Sequence, residues 1–329
     1  MAKTLLKSYW DSGNLHFAQS VSGGSAYIQL DDAPILGGLV RGTIYCVDSI
    51  NGLDTYNGLT WGSPFLTIAK AVATCSAGDT ILIRGYGAST SVSTNRTNSF
   101  NEAVTCNKSG VSFIGIGPTT NDAIWTAPDT TAPCLTLTGT DCLVYGVRFC
   151  PPVANAAVSL SGAYQTRIVK CRFQGKTNSY YGILTDGNNA NVRVEDCDFQ
   201  YINTASNGYA IYGQTYTSGE NSGWQIIGNR FDSNTNHISC RLRQSYVVGN
   251  IFGDYGYLAA GAGQVTTTLD IHGANVGANI VTQNHFCAAY AKSGLYGGTN
   301  DSWAGNYCTD RSHGSQVDAT TGISILAPA

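Results

Sequence analysis

Short apolar stretches, each closed by a phenylalanine, recur down the second half of the chain. LVYGVRF, RIVKCRF, RVEDCDF, QIIGNRF, YVVGNIF and IVTQNHF end at Phe149, Phe173, Phe199, Phe231, Phe252 and Phe286, and a worn copy, SWAGNYC, ends at Cys308. The steps between them are 24, 26, 32, 21, 34 and 22 residues. Five positions before each end stands an apolar residue: Val144, Ile168, Val194, Ile226, Val247, Val281 or Trp303. Two before stand Val147, Cys171, Cys197, Asn229, Asn250, Asn284 and Asn306, and three before is often Gly (146, 228, 249, 305). The pattern reads as strand, tight turn, strand, with Gly and Asn tolerating left-handed backbone in the turn.

Between each phenylalanine and the next phrase lies another short strand: AVSL (157–160), GILTD (182–186), AIYGQ (210–214), HISCR (237–241), TLDIH (268–272) and GLYGG (294–298). Val158, Ile183, Ile211, Ile238, Leu269 and Leu295 align as an inward column. A period of this size with variable insertions specifies a solenoid, because one unit cannot bury its apolar face alone. Earlier rungs are less regular: TILIRG (80–85), VSFIGIG (111–117) and CLTLTG (134–139). About nine rungs of three strands each make an all-β rod of roughly 40–45 Å, with the phenylalanines in an inner stack and the asparagines in an amide ladder.

Composition agrees. Charged residues make up 12% of the 329, and there are 39 glycines, which suits many short strands joined by turns. A net charge of −3 without a basic run argues against duplex nucleic acid as a partner. No apolar stretch approaches the 18 residues of a membrane span. MAKTLLKSYWDSGN lacks the apolar core of a secretory signal, so synthesis in the cytosol is expected. The eleven cysteines show no metal-ligand spacing. Cys171 and Cys197 read as small fillers of the ladder column rather than a disulfide.

Residues 1–42 lack the repeat and are read as an anchoring or oligomerising segment, 43–308 as the solenoid, and 309–329 as a tail. Ser63 and Pro64 read as a helix start, with Phe65, Ile68, Ala69 and Val72 on one face. A helix near 63–75 would then close the apolar end of the stack.

Residues 43–87 also resemble the opening module of right-handed parallel β-helix proteins of the pectin-lyase-like superfamily. Val47, Asp48, Gly52, Asp54, Gly58, Leu59 and Trp61 match its first phrase. Pro64, Phe65, Thr67, Ile68 and Ala71 match the second, and Ala77, Gly78, Asp79, Thr80 and Ile81 the third. The resemblance implies that fold over roughly 43–308. It leaves function open, since the superfamily includes polysaccharide lyases, glycoside hydrolases, phage tailspikes, adhesins and virion parts.

In such proteins substrate lies along the sheet that corresponds here to the strands between 157 and 298. Its outward columns are Ser159, Leu184, Tyr212, Ser239, Asp270 and Tyr296, then Ser161, Asp186, Gln214, Arg241, His272 and Gly298. Tyr212, Gln214 and Tyr296 are candidates for gripping a sugar. Asp270, Arg241, His272 and Asp186 are candidates for chemistry. Asp186 and Asp270 lie three rungs apart, roughly 14 Å, which is too far for the paired carboxyls of glycoside hydrolysis; Glu220 is a loop carboxylate that sequence cannot place. Arg241 beside His272 and Asp270 imitates the base and carboxylate-neutralising group of a lyase. Glu195, Asp196 and Asp198 read as a solvated outer face. No metal or cofactor is expected, calcium entering only for a lyase. The leading expectation is a structural or adhesive protein of a virus particle, most naturally a bacteriophage. It would be made in the host cytoplasm and serve as spike, fibre or capsid decoration. By analogy with spikes it would be a homotrimer, bound to other virion proteins through residues 1–42 and in contact with surface polysaccharide. A polysaccharide-degrading lyase or hydrolase is the alternative, and a bacterial surface adhesin the third reading.

Overall fold

A computed structural model describes residues 7–11, 14–21, 24–29, 42–86, 99–117, 123–128, 132–151, 155–175, 179–202, 208–213, 221–253, 267–272, 277–286, 295–297 and 300–308. Three parallel sheets run the length of the solenoid. Among the described residues the first has eight strands, from Val104–Cys106 to Leu295–Tyr296. The second has ten, from Ile44–Val47 to Ser302–Ala304, and the third nine, from Phe100–Asn101 to Tyr307–Cys308. Each rung contributes one strand to each sheet in turn, the connectivity of a parallel β-helix.

The phenylalanine column is the inner stack expected. Phe149, Phe173, Phe199, Phe231, Phe252 and Phe286 pair in register across the third sheet. Their ring centroids lie 5.4, 4.5, 4.9, 4.9 and 5.0 Å apart. That is close to the strand spacing, so the ladder sets the near-parallel stacking of the rings. Trp125 continues the stack, 5.6 Å from Phe149.

The turn after each second-sheet strand explains the ladder. Gly146, Gly228, Gly249 and Gly305 have φ of 67, 67, 67 and 62°, and Lys170, Asp196 and Gln283 occupy the same column with φ of 50, 51 and 56°. The next residue turns its side chain inward along the axis. Asn250 accepts from the Asn229 backbone N–H (2.9 Å) and amide (3.0 Å), and donates to the Ile226 carbonyl (2.9 Å) and the Asn284 side chain (3.0 Å). Cys197 takes the same role with a thiol: its sulfur accepts from the Cys171 N–H at 3.4 Å and donates to the Ile168 carbonyl at 3.5 Å. The two cysteines are therefore separate ladder rungs. A second ladder runs at the other turn, where the Ser245 N–H donates to Asn279 and the Asn279 N–H to Asp301.

The capping helix α1 is Ile68–Thr74, and its N-cap is Thr67, not Ser63. The later start has a plain cause. Phe65 pairs with Val47 as an isolated bridge, receiving the Asp48 N–H and donating to the Cys46 carbonyl, so the chain is held off the helix at this residue. Ser63 instead donates to Asn57. Ala71, not Ala69, joins Ile68 and Val72 in the core. Both helix ends are held from the rung below. Glu102 accepts from the Ile68 and Ala69 N–H groups at 2.9 and 2.8 Å, and Lys108 donates to the Val72 carbonyl at 2.6 Å, each charge matching its end of the helix dipole.

The aspartates of the opening module are also structural. Asp54 accepts from the Leu66 and Thr67 N–H groups, and Asp79 from those of Thr43 and Ser76. Gly52 is required by close approach, since a Cβ there would lie 2.2 Å from the Phe65 carbonyl oxygen.

Residues 7–29 stand in a separate antiparallel sheet of three strands, Lys7–Asp11, Asn14–Val21 and Gly24–Gln29. The carboxylates expected on a solvated outer face divide: Glu195, on the second sheet, pairs with Arg193 at 2.6 Å. Asp196 is exposed, whereas Asp198 is half-buried between Arg172 and Arg230 in register. Burial raises its pKa against the pull of the two arginines.

Candidate functional site

The outer face of the first sheet carries more than alternation predicts. In strands Ala156–Leu160, Tyr181–Thr185, Tyr209–Gly213 and Asn236–Cys240 two consecutive residues face inward. Ala157 with Val158 and Ala210 with Ile211 are core residues; Gly182 approaches the Phe199 ring, and His237 packs against Phe231 and Phe252. The kink resembles a bulge, which re-aims the side chain before it. An additional outward column results: Tyr181, Tyr209 and Asn236 pair in register there. Strict period-2 reading misses it, because the phase changes inside each strand.

The expected outward column is present beside it. Leu184, Tyr212, Ser239, Asp270 and Tyr296 are successive register partners. The two columns bring three tyrosines together. Tyr181 and Tyr212 stack at 5.1 Å and 19°, Tyr209 and Tyr212 lie 4.6 Å apart, and Tyr180 meets Tyr181 edge-on at 6.0 Å. Burial pushes the phenol pKa values of Tyr181, Tyr209 and Tyr212 up, and the Asp270 charge adds to it at Tyr209 and Tyr212.

Two rungs beyond Tyr212 stands Asp270. Its side chain is 14% exposed. The Ser239 hydroxyl donates to one carboxylate oxygen at 3.0 Å, and His272 contacts the other through Nδ1. The His272 backbone N–H donates to that same oxygen at 3.3 Å. A carboxylate bonded to Nδ1 fixes the tautomer and turns Nε2 outward, and His272 is 55% exposed. Arg241 ends the intervening strand, its N–H on the Gly213 carbonyl and its own carbonyl accepting from Asn221.

Of the residues singled out from sequence, Tyr212, Asp270, His272 and Arg241 fall on this patch. Asp186 is exposed on the same face, with its N–H on Leu160, three rungs from Asp270. Tyr296 pairs with Asp270 through its backbone, but its side chain, like Gln214 and Glu220, lies outside the described residues. Among the described residues no three His, Cys, Asp or Glu side chains gather to hold a metal. Among the described residues no helix is long and apolar enough to cross a membrane.

The fold is a right-handed parallel β-helix, with tyrosines, a carboxylate and an imidazole on one sheet face. No protein-family model matches the chain, and no curated protein sequence does. Among solved structures it is similar to the GH136 lacto-N-biosidase from Eubacterium ramulus, with a TM-score of 0.57 at 12% identity, covering 81% of this chain and 56% of that one. It is similar also to pectate lyase Pel9A, with a TM-score of 0.56 at 16% identity, covering 86% and 74%. The chain thus spans little more than half the length of the lacto-N-biosidase. Identities this low establish the fold alone.

Proposed function

We propose that the protein binds an acidic polysaccharide along the outer face of its first sheet and cleaves it by β-elimination. The observation that carries the reading is the Asp270–His272 pair, held by Ser239 and set beside stacked tyrosines on the same face. In this scheme Asp270 orients His272, whose Nε2 takes the proton from the carbon next to a uronate carboxylate. The electron pair left behind forms a carbon–carbon double bond, and the glycosidic oxygen departs, taking up a proton from water. Arg241 neutralises the carboxylate, which makes that proton more acidic. Hydrolysis by two carboxyls is less well served, since Asp186 and Asp270 are separated by three strand spacings, roughly 14 Å. Of the like-folded proteins, pectate lyase Pel9A leans the same way by name, whereas the lacto-N-biosidase is named as a glycoside hydrolase.

The test is ultraviolet absorbance of unsaturated uronate products from a panel of acidic polysaccharides. The wild type is expected to release them. His272→Ala is expected to lower kcat by about 10²-fold or more, the usual worth of a general base. Arg241→Ala is expected to raise KM as well. Release by His272→Ala at the wild-type rate would remove the imidazole from the scheme.

A second reading keeps the glycan surface and drops the cleavage: an adhesive spike, fibre or decoration of a virus particle, homotrimeric and held by residues 1–42. Its support is the separate antiparallel sheet at 7–29, which pairs with no described solenoid strand. Tight glycan binding with no product from any polymer would favour it.

A further inference from the structure

The rung between the tyrosines and Asp270 is conspicuously short. It presents Asn236 and Ser239 to the outer face, both buried at the base of the patch. On one side rise Tyr209 and Tyr212, on the other Thr267 and Asp270, the register partners of Asn236 and Ser239. Tyr181 and Tyr209 both pack against Tyr212, at 5.1 and 4.6 Å between ring centroids. The strands that carry Tyr212 and Asp270 stand two spacings apart, about 9.6 Å, and Asp270 leans over the rung between them to the Ser239 hydroxyl at 3.0 Å.

We propose that this one-rung slot takes an uncharged pyranose ring packed on Tyr212. The preferred glycan would then be an acidic heteropolysaccharide, with a neutral sugar next to the uronate, and not a homopolymer of uronate. The inference rests on the glycan reading above and narrows its substrate. Charge decides the occupant. Asp270 forms one wall, and its field already reaches the phenols of Tyr209 and Tyr212, so a sugar carboxylate in the slot would be repelled. The polar groups at the base are satisfied: the Ser239 hydroxyl by Asp270, and the Asn236 amide by the Gly208 carbonyl at 3.4 Å. The base therefore offers no cation to a uronate. The tyrosine walls offer apolar ring faces, and hydrogen bonds to described residues occupy none of the three hydroxyls. Among the described residues, Arg241, directly after the same strand, brings a cation to this rung for an acidic neighbour.

Calorimetric titration of the full chain tests this. The probes are alternating uronate–N-acetylhexosamine polymers (hyaluronan, heparosan) and uronate homopolymers (polygalacturonate, polymannuronate). At least one alternating polymer is expected to bind tenfold or more tightly than either homopolymer. Ser239→Phe, which fills the slot, and Tyr212→Ala, which removes a wall, are each expected to weaken that binding tenfold or more. Tyr212→Phe keeps the ring and is expected to stay within about threefold. Circular dichroism and the thermal midpoint check that each variant folds, and Tyr212→Ala decides alone if Ser239→Phe does not. Homopolymers bound as tightly as alternating polymers, or binding indifferent to slot filling and wall removal, would overturn the slot while leaving the glycan reading in place. Binding to none of the four would end both.

Discussion

At the scale of single residues, neighbours decide chemistry more than residue type does. His272 and His237 stand 35 residues apart in sequence and serve opposite ends. His272 sits in solvent against a carboxylate. His237 is buried between Phe231 and Phe252, with the Asn234 amide 3.3 Å from Nδ1. Burial alone drives the His237 pKa down to about 3. The folded state therefore stays neutral where the unfolded state, near 6.5, takes up a proton. Its contribution to stability is complete above about pH 6.5 and is lost as pH falls towards 3, by about 1.4 kcal/mol per unit. His237→Phe keeps an aromatic ring and removes the proton. Its thermal midpoint is expected to fall less than that of the wild type between pH 7 and 4; equal slopes would show that His237 is not the group responsible. Sequence placed His237 next to an inward column but gave no sign that it was itself inward, because the phase change that buries it appears only in the folded strand.

At the scale of elements, the ladders and the helix caps join one rung to the next. Asn250 is fully buried and satisfies groups on both neighbouring rungs. Asn250→Leu would strand the Asn229 N–H and the Ile226 carbonyl. At roughly 1–3 kcal/mol for each unsatisfied group, a loss of about 3 kcal/mol or more is expected in urea unfolding. Asn250→Cys is expected to cost less, since Cys197 already does this work with a thiol; a cysteine as costly as leucine would refute the equivalence. This ladder was legible in sequence because asparagine repeats in one column. The second ladder was not, since serine, asparagine and aspartate alternate in it and share an acceptor oxygen rather than an identity. The helix start was misplaced for a related reason. Ser63 and Pro64 carry local capping signals, and pairing of Phe65 with the Val47 strand overrides them.

For the whole molecule, stability is expected to be graded along the axis, because each rung touches only its neighbours. Phe65, with Ile68, Ala71 and Val72, closes the apolar end of the first rung. Phe65→Ala is expected to cost about 3–5 kcal/mol locally. Hydrogen exchange should then show lost protection concentrated in 44–84, with 246–286 little changed. Uniform loss along the rod would mean that the solenoid unfolds as one cooperative unit. The same one-dimensional order organises the site. Tyr181, Tyr212, Ser239 and Asp270 lie on four successive rungs, so spacing along the axis becomes spacing along a bound chain.

The sequence by itself determined the repeat, the inward columns and the outward faces, because stacking like on like needs only a periodic pattern of side chains. It thereby placed Tyr212, Arg241, Asp270 and His272 on one surface and held Asp186 away from Asp270. Tertiary structure alone decided the rest. The kink in the first-sheet strands turned Tyr181 and Tyr209 outward to meet Tyr212, and contact across rungs set Ser239 and His272 on one carboxylate. Those are consequences of backbone phase and of atoms brought together from distant rungs, and neither is written in any local pattern.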